Sequence, residues 1–298
     1  MQIFMRKFYY GIKALRLFSL PLSSSGIVMG GVLAYNTDHF SWLLFSLALL
    51  TAAALHLTCN LANDVGDYKS GNDSFESIGY ETMLLSGKLT VRDVVIMIGI
   101  FTAIAVSAGF ALIYLSFGNI FTIPSLIMFC IGAIAVLAAI FYTIGNKPYG
   151  YRALGDLAVF LFFGLAAVAG TFFLLSKELP IMIFLPAVSM GLLVTGVVNL
   201  NNIRDLENDK KYRKTIPIII GEQNAKHYYT CLVLFPFIIM TLYKILLHST
   251  QFTSFLFLFL MPFAIINIIN VYKHRGLDLN KSMGVLILIT VLFIFSAI

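Results

Sequence analysis

Charge is scarce in this sequence: Asp, Glu, Lys and Arg make up 11% of its 298 residues, against about 25% in an ordinary soluble domain. That shortage excludes a water-soluble globule. With about 20 apolar residues needed for each crossing of a bilayer, the length also leaves no room for a large extramembrane domain. Cysteine occurs only at Cys59, Cys130 and Cys231, inside apolar runs and without metal-ligand spacing, so the three read as small packing residues. The basic, partly amphipathic opening MQIFMRKFYYGIKALRLF lacks a small-residue cleavage site and reads as an interfacial helix, not a signal peptide.

What the chain has is hydrophobicity, at 59% of residues and a mean hydropathy of +0.92. Apolar runs between polar punctuation predict nine spans, at about 17–35, 41–64, 93–115, 121–144, 153–175, 180–203, 228–247, 252–272 and 283–298. Runs this long lack the alternation of barrel strands, and open sheets cannot cross lipid. The expected fold is therefore all-α, a single multi-pass membrane bundle over residues 1–298.

With the N-terminus inside, every Lys and Arg except Lys177 and Lys244 falls on the inner face, which orients the chain with a cytoplasmic N-terminus. The net charge of +6 is then a mark of topology and not of a nucleic-acid surface. Every acid except Asp38 and Glu178 shares that face, which topology does not require. Carboxylates are used there.

They fall in two clusters. The second span ends in NLANDVGDYKSGND, which spaces Asn60, Asn63, Asp64 and Asp67 at i, i+3, i+4 and i+7, within one arc of a helix. The sixth ends in NLNNIRDLENDKKYRKT, where Asn199, Asn202, Asp205 and Asp209 share a side if the helix continues. Both open with NL-x-N and lie four spans apart, an even number, so they emerge on one face as in two four-helix pseudo-repeats. Helix capping accounts for either cluster alone but not for the pair, because acids in a bilayer helix cost about 2.5–3.5 kcal/mol each. Converging carboxylates need a cation, and oxygen ligands select a hard one such as Mg²⁺, held with substrate phosphates. Arg204, Lys210, Lys211, Arg213 and Lys214 supply charge for a diphosphate, two of the five being expected at the site.

At these residues the chain resembles the UbiA superfamily of intramembrane prenyltransferases, in its NDVGD and DLEND motifs, their spacing and its helix count. RLFSLPLS near the start, LGDLAVFLFFGLAAVAGTFF from Leu154 and the close of the second motif at Lys214 and Thr215 are most similar to its 1,4-dihydroxy-2-naphthoate prenyltransferases. The resemblance implies a polyprenyl diphosphate donor, an aromatic acceptor and a cytoplasmic active face in a bacterial plasma membrane. It implies that Asp64, Asp67, Asp205 and Asp209 hold Mg²⁺, Asp67 and Asp205 also being catalytic. Arg16, Asn60, Asn63, Lys69, Lys147, Asn202, Arg204, Lys210 and Lys214 would contact substrate. Tyr142 would face the allylic cation, and Asp156 would orient the acceptor or take up a proton. Phe121, Phe160, Phe162, Phe163 and Phe172 are candidates for an isoprenoid tunnel. One departure stands out: the loop after the first motif reads SFESIGYETMLLSGKL, without an arginine before Arg92, so Lys69 or Lys88 would substitute. Other acceptors, such as 4-hydroxybenzoate, homogentisate, a chlorin or a glycerol phosphate, keep the same fold. A transporter would place its polar residues at span centres, whereas here they gather at one end.

Overall fold

The computed structural model describes residues 2–71, 82–146 and 148–296, all helix and connection apart from one isolated bridge. Among the described residues nine helical stretches are long and apolar enough to cross a membrane. The helices are α1 (Gln2–Ala14), α2 (Leu20–Ala34), α3 (Trp42–Ser70), α4 (Val91–Phe117) and α5 (Ile123–Phe141). They continue with α6 (Gly155–Ser176), α7 (Ile181–Arg204), α8 (Glu222–Leu246), α9 (Phe252–Lys273) and α10 (Gly276–Phe295).

Among the boundaries that move from their expected places, two do so for a clear local reason. The chain is helical from Gln2, as the amphipathic opening predicts, and Lys7 ties α1 to Asp93 at the start of α4 at 2.9 Å. A left-handed residue, Arg16 at φ 51, separates α1 from α2. Helix α3 runs on past its apolar stretch to Ser70, because its polar residues face a site instead of ending the helix; Gly71, at φ 74, closes it. Helix α8 begins six residues before the apolar run, where Lys226 pairs with Glu222 at 2.9 Å.

Lipid gives helices no hydrophobic reason to associate, so close packing of small residues does the work. Helix α7 is the most enclosed span and α5 the most lipid-exposed. A Cβ on Gly26 or Gly30 of α2 would run into the backbone oxygen of Phe163 or Val168 on α6, and one on Gly164 of α6 would run into Gly191 of α7. These contacts pull α2, α6 and α7 together. Between them α6 widens into a π-helical segment, Phe160–Ala166, a departure that marks functional regions in many helices. Cys130 and Cys231 are exposed on the outside of the bundle, so the packing role expected of them does not hold; only Cys59 is half-buried.

Candidate active site

A cavity of about 370 Å³ opens among α2 to α7. Most of its wall is aliphatic and aromatic, from Ile27, Ala48, Leu112, Met128, Phe162 and Phe163, while Asn60, Asn63, Cys59, His56, Tyr142 and Tyr149 make one end polar. Phe162 and Phe163 thus line the cavity as expected of a tunnel. Phe172 is packed in the core and Phe121 is 78% exposed, while the Phe160 ring lies against Gly191.

Both motifs stand at the polar end, and arginines hold three of their four carboxylates. Asp64, 2% exposed, pairs with Arg16, whose left-handed backbone turns the chain toward it. Asp205 follows the last residue of α7 and accepts from Nε and Nη2 of its neighbour Arg204, at 2.7 and 2.6 Å. The helix does not run straight on; a short turn, Leu206–Asp209, continues it, with the Asp209 amide donating to the Asp205 carbonyl at 2.9 Å. Asp209 is buried and pairs with Arg213 at 2.7 Å. Asp67 accepts from the Tyr151 hydroxyl.

The two motifs feel one another. Burial lifts the carboxyl of Asp209 above the usual range, Arg213 opposes this, and the charges of Asp205 and Asp67 add to the rise. Against burial, which would lower it, Asp209 and then Asp67 hold the Arg213 guanidinium above its ordinary value. Arg213 therefore stands between the two clusters. Arg204 and Arg213 are the two members of the basic run that pair with motif carboxylates. Lys210 instead pairs with exposed Glu207 at 2.6 Å, Lys214 contributes its backbone, and its side chain and that of Lys69 are exposed. Lys88 lies over the Tyr10 ring, 5.7 Å from its centroid. Lys147 lies outside the described residues, as do Asp73, Glu76 and Gly79 of the first-motif loop.

The asparagines divide. Asn63 accepts from Thr143 at 3.1 Å at the cavity mouth. Asn60 points into the wall, donating to the Leu15 carbonyl and to Ser19, each at 3.3 Å. Asn202 donates to Asp156 at 3.4 Å in a buried pair, with Asn199 and Tyr228 completing the polar surroundings of Asp156.

Tyr142 follows the last residue of α5 and is held by shape. A Cβ on Gly155 would come within 2.7 Å of its hydroxyl, and one on Gly150 within 2.7 Å of its carbonyl oxygen. Its ring meets Tyr149 edge-on at 5.3 Å and 90°, and Tyr149 donates to the Ala138 carbonyl at 2.8 Å. Burial pushes the hydroxyls of Tyr142, Tyr149 and Tyr151 above their ordinary range, Asp67 contributing at Tyr151. Sequence reasoning missed Tyr149, Tyr151, Thr143 and His56. The tyrosines sit in the run PYGYR, whose aromatic density in a loop is the one available signal. A bridge from Tyr151 and Ala153 to Lys214, at 3.0 and 2.8 Å, fastens that loop to the second motif.

The donors present are hard oxygens, and buried Asp209 Oδ2 has no hydrogen-bond partner, so a divalent cation fits the chemistry. Among the described residues, however, no three His, Cys, Asp or Glu side chains converge closely enough to form a cation site by themselves.

Fold and site together define a multi-pass membrane enzyme whose carboxylate-and-arginine mouth opens on an apolar cavity. Residues 24–296 match the UbiA prenyltransferase family. A 1,4-dihydroxy-2-naphthoate octaprenyltransferase of Escherichia coli is 36% identical over 257 residues, 85% of this chain and 82% of that one. Among solved structures, an apo UbiA homologue from Aeropyrum pernix aligns at a TM-score of 0.71 and 15% identity over 95% of this chain and 97% of its own. A UbiA homologue from Archaeoglobus fulgidus bound to GPP and Mg²⁺ aligns at 0.65 and 17%, over 97% and 99%. The chain belongs to the UbiA prenyltransferase family.

Proposed function

We propose that this enzyme transfers a polyprenyl group from its diphosphate to 1,4-dihydroxy-2-naphthoate, an activity of menaquinone biosynthesis, and that its motif end faces the cytoplasm of a bacterial cell. The observation that carries the reading is the pairing of three motif carboxylates with Arg16, Arg204 and Arg213 beside an apolar cavity whose polar end Asn60, Asn63 and Tyr142 line. The naphthoate enzyme at 36% identity supports this acceptor, and the GPP- and Mg²⁺-bound homologue supports the donor and the metal.

Asp64, Asp67, Asp205 and Asp209 would hold the metal. When bound, Mg²⁺ neutralises charge on the departing diphosphate. Arg16, Arg204 and Arg213, each paired with a motif carboxylate, supply guanidinium donors for phosphate oxygens. As the allylic C–O bond breaks, the faces of Tyr142 and Tyr149 stabilise the positive carbon by cation–π attraction without supplying a nucleophile. The ring carbon that bears the acceptor carboxylate then bonds to the prenyl C1, the diphosphate keeps the electron pair of the broken C–O bond, and the carboxylate leaves as CO₂, its C–C bond pair returning to the ring. Buried Asp156, held by Asn202, faces this end and orients the acceptor or takes up its proton. The apolar remainder of the cavity takes the isoprenoid tail.

Detergent-purified protein given Mg²⁺, a polyprenyl diphosphate and a panel of aromatic acids yields a product of the mass of prenylated, decarboxylated dihydroxynaphthoate. Product from 4-hydroxybenzoate alone would reassign the acceptor, and no product across the panel would refute the transferase reading. Within the site, Tyr142→Phe keeps turnover within about 3-fold, whereas Tyr142→Leu lowers it about 30-fold, the equivalent of a desolvated cation–π contact of about 2 kcal/mol. Equal losses in the two variants would move the role from ring to hydroxyl.

A further inference from the structure

The second motif draws a partner from beyond the helices that form the cavity. Arg204, its side chain 12% exposed, carries five N–H donors in a fixed fork, and four of them have acceptors. Nε and Nη2 donate to the Asp205 carboxylate at 2.7 and 2.6 Å, and Nη2 donates again to Asn201 Oδ1 at 2.8 Å. Those acceptors lie within one turn of Arg204. The fourth is remote: Nη1 donates to Asn280 Oδ1 at 2.9 Å, across 76 residues of chain. Asn280 stands near the start of α10, so the last span reaches the motif end through this side chain.

The scaffold holds Asn280 in place without help from substrate. Its predecessor Leu279 is buried in the core, and the Ser282 carbonyl accepts from Asn267 of α9 at 2.8 Å. The turn leading into α10 is tied to α8. Buried Lys226 donates to the carbonyls of Tyr272 and His274 at 3.5 and 3.4 Å, and Arg275 pairs with Glu222 at 3.0 Å. An acceptor fixed this way orients the fork it receives, and a preorganised donor loses less freedom when its ligand arrives. Being neutral, Asn280 also holds the guanidinium without cancelling the charge that a diphosphate needs. Asp205 and Asn201 take the hydrogens of Nε and Nη2, so the donor that remains is the second hydrogen of Nη1, the nitrogen that Asn280 holds. We propose that Asn280 is a positioning residue for the diphosphate, fixing Nη1 of Arg204 so that its remaining N–H is held for a phosphate oxygen. The inference rests on the transferase reading above.

Purified protein with Mg²⁺ gives the donor KM, the acceptor KM and the pyrophosphate inhibition constant for the wild type, Asn280→Ala, Arg204→Lys and the double variant. Asn280→Ala raises the donor KM and the inhibition constant each about 5-fold, on the scale of one hydrogen bond, and leaves the acceptor KM within about 2-fold and the melting point unchanged. In the Arg204→Lys background no fork is left to orient, and Asn280→Ala then changes the donor KM by less than about 2-fold. An unchanged donor KM in Asn280→Ala overturns the inference, as does a fully additive double variant or an acceptor KM that rises equally. Binding is also read without turnover, from the rise in melting point that Mg²⁺ with pyrophosphate gives each of the four proteins, should Arg204→Lys be inactive. That rise shrinks in Asn280→Ala, and an equal rise in Asn280→Ala and the wild type overturns the inference while the transferase reading stands. A wild type that transfers no prenyl group overturns the transferase reading, and one that pyrophosphate also fails to stabilise overturns both.

Discussion

Asp67→Ala lowers turnover by about 10³-fold, on the scale of removing a preorganised electrostatic group at a transition state, while the bundle stays folded. The side chain is half-buried and accepts from Tyr151, and Arg213 keeps its ion pair with Asp209 in this variant. Asp209→Ala reaches a similar loss of turnover with an added stability penalty. Removing it takes away the ion-pair partner of Arg213 and leaves only the influence of Asp67, and breaking a buried pair costs about 3–5 kcal/mol. The double variant Asp209→Ala with Arg213→Ala separates the effects, because it removes both charges: stability returns and activity does not. Asp67→Ala combined with Asp209→Ala is little worse than either alone, as for groups that act as a unit. Turnover measured with Mg²⁺ and a polyprenyl diphosphate, beside thermal unfolding in detergent, checks all four. Activity of the Asp67 variant above a tenth of wild type would take that residue out of the metal assignment.

Gly164→Leu lowers stability through packing alone, with no change of charge. A Cβ at this position runs into the Gly191 backbone and approaches the Ala187 carbonyl at 3.0 Å, and backbone cannot step aside as a side-chain end can. Overpacking of this kind costs about 1–3 kcal/mol and more where nothing yields. Because Gly164 sits within the π-helical segment that follows Asp156 and carries Phe162 and Phe163 into the cavity wall, activity falls with the melting point. Gly99→Ala, where a Cβ meets nothing within 4 Å, is the matched control and changes neither. A Gly164→Leu variant melting with the wild type would show that α6 and α7 are not held by this contact.

Of the site, the motif positions were legible because they are local. Asn60, Asn63, Asp64 and Asp67 lie within eight consecutive residues of one helix, and 3.6-residue periodicity alone puts them on one side. The roles of their neighbours were not legible. Nothing in RLFSLPLS reveals that Arg16 takes a left-handed turn to meet Asp64, forty-eight residues on. Within DKKYRKT any base is a plausible phosphate ligand by charge. Arg213 stands at the site because it falls one helical turn after Asp209, while Lys210 is turned outward to Glu207.

The same division holds for the whole molecule. Hydropathy is summed over each run of about twenty residues, so the sequence alone determined that the chain is a nine-span helical membrane protein with acids concentrated at two span ends. Only the tertiary structure decided which arginine neutralises which carboxylate, how Gly150 and Gly155 cage Tyr142, and that His56 lines the wall behind the motifs. Those are contacts between helices, and they depend on helix rotation and glycine-level packing, neither of which a single run of sequence encodes.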